Sequence, residues 1–156
     1  MNFQISGLDP APFAPLFDLD DAVLQARGID RCHAGQEDHL PCRVSLEDAA
    51  PGDELLLLHH AHLDALSPYR AAGPIYVRRN ARERARYVGH LPPMITSRLL
   101  SVRAYDARSR MVGGEVVPGA EAQPMIERFL ENREVEFLHL HFGRRGCYAA
   151  LVERLA

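Results

Sequence analysis

Lysine is absent from the 156-residue sequence, and all 18 of its basic residues are arginines. A chain without lysine has no amine side chain for a Schiff base and no GK[ST] phosphate-binding motif. The composition therefore excludes pyridoxal enzymes, lysine aldolases and P-loop NTPases. Arginine remains as the fixed cation, and its planar fork suits carboxylates and phosphates.

Long apolar runs and paired cysteines are also lacking. No purely aliphatic stretch is longer than that at 55–58, and residues 1–5 contain neither a basic start nor an apolar signal core. The three cysteines, Cys32, Cys42 and Cys147, include no CxxC spacing, and an odd count suits a reducing compartment. We therefore expect a cytoplasmic protein that does not enter a membrane.

The order of predicted elements favours an α+β fold. Residues 1–156 are expected to form a single domain, with a hydrophobic fraction of 47% that is ordinary for a soluble globular chain. Two short helices are predicted near the N-terminus, one after Asp9–Pro10 and one capped by Asp20, and a third opens at Pro124 before the C-terminal hairpin. Strands joined mainly by turns indicate one largely antiparallel, curved sheet. They are predicted near 3–5, 41–46, 54–60, 75–77, 99–105, 111–117 and 138–142.

The most informative stretch of the sequence is 135–148. Apolar side chains alternate there with His139 and His141, which predicts a strand with one face on the core. The histidine face would then be solvated or line a pocket. The apolar positions are Leu138, Leu140 and Phe142.

The turn after this strand has three interpretations. Residues 144–146 suit a three-residue loop that ends in a left-handed glycine, which pairs Gly143 with Cys147 and puts the thiol on the histidine face. A four-residue loop would pair Phe142 with Cys147 and send the thiol to the opposite face. A helix beginning near Cys147 is also consistent with the apolar spacing that follows. The turn residues favour the three-residue loop.

The neighbouring thiol and imidazole suggest covalent chemistry. In the favoured register Cys147 would be a nucleophile and His141 its general base, with an arginine holding an anionic substrate. The competing interpretation is a small, buried cysteine beside a turn. The sequence does not decide whether the protein is an enzyme, and it indicates no particular cofactor.

Histidine pairs at strand spacing are candidate metal ligands. His60 and His62 form one pair, and His139 and His141 form the other, so two strands could supply the imidazoles that a transition metal prefers. No carboxylate falls at a telling offset from either pair. We therefore predict no metal site and expect surface or hydrogen-bonded histidines.

Separated arginines suggest an anion site. If Arg43, Arg70, Arg78, Arg144 and Arg145 converge, they form a bidentate cradle for a carboxylate or phosphate. The alternative is a set of surface ion pairs with the 21 acidic residues. The arginine-rich segment 78–86 is not expected to bind nucleic acid, because the net charge is −3 and no aromatic residues are interleaved.

Three blocks of the sequence carry a family resemblance. The first is PCRVSLEDA at 41–49 with Pro51–Gly52, the second is SPYR at 67–70 with GPIYVR at 73–78, and the third is HLH at 139–141 with GCY at 146–148 and ER at 153–154. Together they resemble the bacterial domain-of-unknown-function family 1203, over nearly the whole chain. The resemblance implies no activity, cofactor or substrate. It implies only positions to test, which are Cys42, Arg43, His62, Ser67, Tyr69, Arg78, His141 and Cys147.

Two functional hypotheses follow. In the first, the protein binds a small anionic molecule in an arginine-lined pocket near the last hairpin, with Cys147 and His141 able to add chemistry. In the second, it is a non-catalytic interaction module that forms a homodimer through an edge strand. Tyr69 could contact the ligand or simply close the Ser67–Pro68 turn. The ligand-binding candidates of the first hypothesis are Arg43, Tyr69, Arg78, Arg144 and His62.

Overall fold

The computed structural model describes residues 2–156, which form short strands, tight turns and a few short helices. The α-helices are α1 (Asp21–Ala26), α2 (Pro93–Thr96) and α3 (Ala122–Glu131), and 3₁₀ helices cover Ala14–Asp18 and Gly119–Glu121. The strands are β1 (Phe3–Ser6), β2 (Asp30–His33), β3 (Pro41–Cys42), β4 (Glu47–Asp48), β5 (Glu54–Leu63), β6 (Ala71–Arg78), β7 (Arg86–Val88), β8 (Leu99–Tyr105), β9 (Met111–Pro118), β10 (Phe137–Phe142) and β11 (Tyr148–Arg154).

The strands form two sheets. The six-stranded sheet has the order β7-β1-β11-β10-β8-β9, and its strand pairs are antiparallel. The five-stranded sheet has the order β2-β5-β6-β3-β4 and includes one parallel pair, β3 with β6, among the described strands. The predicted α+β class with mostly antiparallel strands is confirmed, but the strands form two sheets instead of one. Periodicity indicates which side chains face a core, whereas long-range packing decides which strands pair.

Each sheet packs one face on its own hydrophobic core. Ile126 and Leu130 lie four residues apart on one side of α3 and pack in the same cluster as Leu140 of β10. The N-terminal helices cover the five-stranded sheet through Phe17 and Leu24. The face of β10 that carries the histidines is turned away from α3, toward the other sheet.

The predicted helices are present, with shifted ends. The residues after Asp9–Pro10 form a 3₁₀ helix, not an α-helix. Asp20 caps α1 as predicted, because its carboxylate accepts a hydrogen bond from the backbone N–H of Val23 at 2.9 Å. α3 begins two residues before Pro124. α2 is not predicted, since Pro92–Pro93 also fits a break between elements.

The C-terminal hairpin has another register than the one favoured by the turn residues. The N–H of Phe142 donates to the carbonyl of Cys147 at 2.9 Å, and the N–H of Gly146 donates to the carbonyl of Phe142 at 2.7 Å, so the loop is 143–146. Gly146 is left-handed, as predicted, with φ of +78°. The prediction that Gly143 pairs with Cys147 is wrong, and a strand rather than a helix follows the loop. The extra loop residue turns the thiol away from the histidine face.

No helix within residues 2–156 is long and apolar enough to cross a membrane. The three cysteines are free thiols: Cys42 is buried, while Cys32 and Cys147 are half-buried. Hydrophobic packing, not a disulfide, therefore stabilises the described part of the chain.

Candidate functional site

Chemically active side chains lie on both faces of the β10–β11 hairpin. His141 opposes Tyr148 across the hairpin, and Phe142 opposes Cys147. A β-bulge follows, in which Ala149 is the extra residue on β11. Because opposed residues share a face, His141 and Tyr148 lie on one side and Phe142 and Cys147 on the other. The predicted pairing of the Cys147 thiol with the His141 imidazole on one face is therefore not present.

The histidine cluster consists of His62, His139, His141 and Tyr148 and lies between the two sheets. The ring centroid of His62, on β5, is 5.0 Å from that of His141 and 5.9 Å from that of His139. The rings of His62 and Tyr148 stack at 5.2 Å with an interplanar angle of 10°. His60 lies at the margin, with its ring centroid 6.4 Å from that of Tyr148. Strand β5 of one sheet and the hairpin of the other thus meet through aromatic rings.

The imidazoles of the cluster are neutral at neutral pH. Burial lowers the pKa of His139 to about 3 and the pKa values of His62 and His141 to about 4, and the charge of Arg103 acts in the same direction. Nδ1–H of His141 donates to the carbonyl of Gly146 at 2.9 Å, which leaves the lone pair on Nε2. Within residues 2–156, Nε2 of His141, Nδ1 of His139 and both nitrogens of His62 are buried without a hydrogen-bond partner.

Three of the four candidate metal ligands come close together. His62 approaches from β5, and His139 and His141 approach from β10. His60 lies at the margin, near Tyr148. In the described chain, however, no group of three or more His, Cys, Asp or Glu side chains is arranged to hold a metal ion. The rings of His62 and His141 meet edge to face, so the cluster is a packed aromatic contact in this structure.

The hairpin cavity lies between loop 143–146 and the face of the five-stranded sheet that carries Leu57 and Tyr76. Its volume is about 500 Å³, which is within the range of small-molecule sites. Cys147 and Phe142 line it, so it occupies the opposite side of the hairpin from the histidine cluster. Its charged lining residues are Arg43, Arg98, Arg144, Arg145, Glu37 and Asp38.

Arg43 is the buried cation of the cavity, with only 2% of its surface exposed. Its Nε–H donates to the carbonyl of Tyr148 at 2.7 Å, and its Nη1–H donates to the carbonyl of Pro41 at 2.7 Å. Its backbone N–H donates to Tyr76, and its backbone carbonyl accepts from Leu8. Within residues 2–156 no carboxylate forms an ion pair with Arg43, and no hydrogen bond uses its Nη2. Burial lowers the pKa of Arg43 to about 10, so it remains a cation at neutral pH.

Arg98 shares an aromatic platform with Arg43. The guanidinium carbons of both arginines lie 5.1 Å from the ring centroid of Phe142. Unlike Arg43, Arg98 is neutralised by Asp48, to which Nη2 and Nη1 donate at 2.7 and 3.2 Å. Arg98 therefore shapes the cavity, while the unpaired charge belongs to Arg43.

The hairpin loop supplies the remaining cations. Arg144 and Arg145 are exposed, and neither forms an ion pair with a carboxylate in the described chain. Cys147 is half-buried between this loop and Arg43, and its thiol is 3.9 Å from the carbonyl of Arg145. The predicted residues Arg43, Arg144 and Cys147 are thus brought to one cavity.

Other predicted site residues lie elsewhere. Arg78 forms ion pairs with Glu47 and with Asp53, the latter at 3.4 Å, and does not line the hairpin cavity. Tyr69 is exposed, and its backbone N–H donates to Oγ of Ser67, as expected for a closed turn. His62 belongs to the histidine cluster, and Cys42 is buried in the core.

Arg98 and Tyr76 are lining residues that the sequence did not single out. Arg98 and its partner Asp48 are 50 positions apart, so no local pattern indicates their ion pair. Tyr76 alternates with buried Ile75 and Val77 on β6, which is a strand signal and carries no sign of a cavity.

One comparison with known proteins bears on the chain. The family model described as "Protein of unknown function (DUF1203)" matches residues 39–154, which include Arg43, both hairpin strands and the loop between them. No curated protein and no solved structure matches the chain.

Proposed function

Since the chain belongs to the DUF1203 family, whose description states no activity, we propose from the geometry that it binds a small anion in the hairpin cavity. The observation that carries this proposal is the buried, charged and carboxylate-free Arg43 beside an open volume of about 500 Å³. A buried charge is costly unless it is paired, and an anionic ligand would supply the missing pair.

The arginines have the geometry for a carboxylate or phosphate. Two carbonyls already hold Nε and Nη1 of Arg43, which fixes the plane of the guanidinium and leaves Nη2 for a ligand. A pre-oriented fork loses little side-chain entropy on binding. Arg144 and Arg145 on the loop would attract the anion and close over it.

We propose binding alone and no reaction. Cys147 and His141 lie on opposite faces of the hairpin, so His141 is not placed to take a proton from the thiol. Cys147 is instead a reporter, because it lines the same cavity as Arg43 and the loop arginines, and an anion held by these arginines would shield its sulfur.

Thermal unfolding in sodium phosphate and in sodium chloride at equal ionic strength and pH tests the proposal. We expect phosphate to raise the melting temperature and to slow alkylation of Cys147, while alkylation of Cys32 is unchanged. The double variant Arg144→Gln/Arg145→Gln should lose most of both effects, because both side chains are exposed and their loss leaves the cores intact.

The matched control is Arg108→Gln/Arg133→Gln, which removes two exposed arginines outside the cavity and changes the net charge equally. It should respond to phosphate like the unchanged protein. Equal melting temperatures in phosphate and chloride, or equal losses in both double variants, would reject the site.

A second candidate function, self-association, is favoured by one observation. β9 is an edge of the six-stranded sheet, and its Val112 and Val116 are 45% and 63% exposed. An unprotected edge can pair with a second copy of the chain. Light scattering should give the mass of a dimer for the unchanged protein and of a monomer for Val116→Arg. Val88→Arg, on the opposite edge strand β7, is the control that should stay dimeric, and a monomeric unchanged protein would refute the idea.

A further inference from the structure

The apolar walls of the hairpin cavity identify the class of anion more narrowly, an inference that rests on the proposed function. We propose that the ligand is an organic monoanion with an apolar body, such as an arylalkyl carboxylate, which binds more tightly than an inorganic ion such as phosphate. Its charged group would meet Arg43 and the loop arginines, and its body would cover the apolar walls. The apolar and aromatic lining residues are Leu40, Pro41, Leu57, Pro74, Tyr76, Leu99 and Phe142.

The apolar walls are incompletely covered by the protein itself. Leu99 is 40% exposed although it opens strand β8, and Leu40, Leu57 and Tyr76 are half-buried. A concave surface that combines exposed apolar side chains with a few convergent polar groups is typical of a site for an organic ligand. An inorganic ion would fill a small part of about 500 Å³ and would leave these side chains in contact with water.

The charges of the lining favour a single negative charge on the ligand. Arg98 is cancelled by Asp48, which leaves Arg43, Arg144 and Arg145 against Glu37 and Asp38. With His39, which also lines the cavity, counted as neutral, three cations and two carboxylates give one net positive charge. Positive and negative side chains both act on the Tyr76 hydroxyl. Burial raises the pKa of Tyr76, the negative charge of Asp38 raises it further, and the positive charges of Arg43 and Arg145 lower it. The acidic side chains would repel a polyanion such as a nucleoside triphosphate.

Two other cavities do not share this combination. One has a volume of about 520 Å³ and is lined mainly by polar and charged residues, most of them within 78–87. The other has a volume of about 440 Å³ and an apolar floor with Phe13 and Phe17. Two of its three arginines, Arg78 and Arg79, are in ion pairs with carboxylates. Uncompensated positive charge and apolar walls therefore coincide at the hairpin.

Acetate and phenylacetate form a probe pair with the same carboxylate, because they differ only in the phenyl group. Titration of the full chain, followed by chemical shifts of backbone amides, should give a dissociation constant at least tenfold lower for phenylacetate. Leu99→Ser should weaken phenylacetate at least threefold and leave acetate unchanged. Val116→Ser, at an exposed apolar position on β9, is the matched control and should change neither constant.

The outcomes separate this inference from the proposed function. If acetate and phenylacetate bound with equal affinity, and Arg144→Gln/Arg145→Gln weakened both, the proposal that the ligand has an apolar body would be wrong. The proposal that the cavity binds an anion would stand. Binding of phenylacetate that is insensitive to the arginine variant, or shift changes confined to residues away from the cavity, would overturn both. Tighter phenylacetate binding that is sensitive to both Leu99 and the arginines is the expected result.

Discussion

The histidine cluster and the hairpin cavity lie on opposite faces of one hairpin and hold polar side chains in different ways. The cluster buries imidazoles that have lost their charge, and four of their nitrogens have no hydrogen-bond partner among residues 2–156. The cavity buries Arg43, which keeps its charge and has two carbonyl acceptors. Burial alone therefore does not decide the charge state, because an imidazole can release its proton near neutral pH and a guanidinium cannot.

The largest expected effect is acid destabilisation through the cluster. Folded-state pKa values of about 3 to 4 lie below the ordinary histidine value near 6.5, so the unfolded chain binds more protons in this window. The free energy of unfolding is therefore highest above pH 6.5 and decreases as the pH falls toward 4. His139 and His141 should each add a slope approaching about 1.4 kcal/mol per pH unit, and the half-buried His62 less. Urea unfolding between pH 7 and pH 5 measures this slope.

Two substitutions sharpen that test. His62→Phe keeps the stack on Tyr148 and removes one titrating ring. The free energy of unfolding should then depend less steeply on pH, and the variant should be more stable than the unchanged protein at pH 5. His33→Gln removes an exposed histidine and should leave the slope unchanged. A pH-independent free energy of unfolding would show that the rings are solvated or paired in the folded protein.

In the hairpin cavity, Arg43→Met should lower the free energy of unfolding by about 3 kcal/mol, because the buried carbonyl of Tyr148 and the part-buried carbonyl of Pro41 lose a charged donor. Chemical denaturation at pH 7 measures the loss. Arg145→Gln, an exposed arginine of the same cavity, should change stability by less than about 0.5 kcal/mol. If both variants were equally stable, Arg43 would be a surface group and the contrast with the histidines would disappear.

A smaller loss of stability than that of Arg43→Met is expected at the junction of the two regions. Gly146 has a left-handed φ of +78°, and a side chain added there would meet no atom within 4 Å. Gly146→Ala should therefore cost only backbone strain, about 1 kcal/mol, and Gly146→Asn should cost less. Thermal unfolding of the two variants tests this order, and a large loss in both would indicate that the loop has another conformation.

The alternation of residues predicted which side chains share a face of β10, but it did not predict the pairing register of the hairpin. Alternation along β10 placed His139 and His141 opposite the core face, and they do lie on the face opposite Leu138 and Leu140. The prediction that this face is solvated or lines a pocket is wrong, because both histidines are buried against His62 of the other sheet. The position of Cys147 depended on whether the loop has three or four residues. Both loops accept a left-handed glycine at the last position, so the sequence could not separate them. One residue then decided whether the thiol lies with the histidines or with the arginines.

Long-range pairing explains what else the sequence missed. The separation into two sheets depends on contacts such as that between β1 and β11, which are at opposite ends of the chain. Arg43 and Arg144 were recognised as candidates by residue type, and the fold brings them together. Arg78 was also chosen by residue type, but its charge is already paired with the carboxylates of Glu47 and Asp53.

Arg43 also ties distant parts of the chain to one another. Its backbone and side chain bond to Leu8, Pro41, Tyr76 and Tyr148, which belong to four segments and both sheets. An anion on its free Nη2 would therefore add a common restraint to all four at once. Occupancy of the hairpin cavity would then slow amide exchange at the start of β11 and near the end of β6, so both sheets would respond to a ligand.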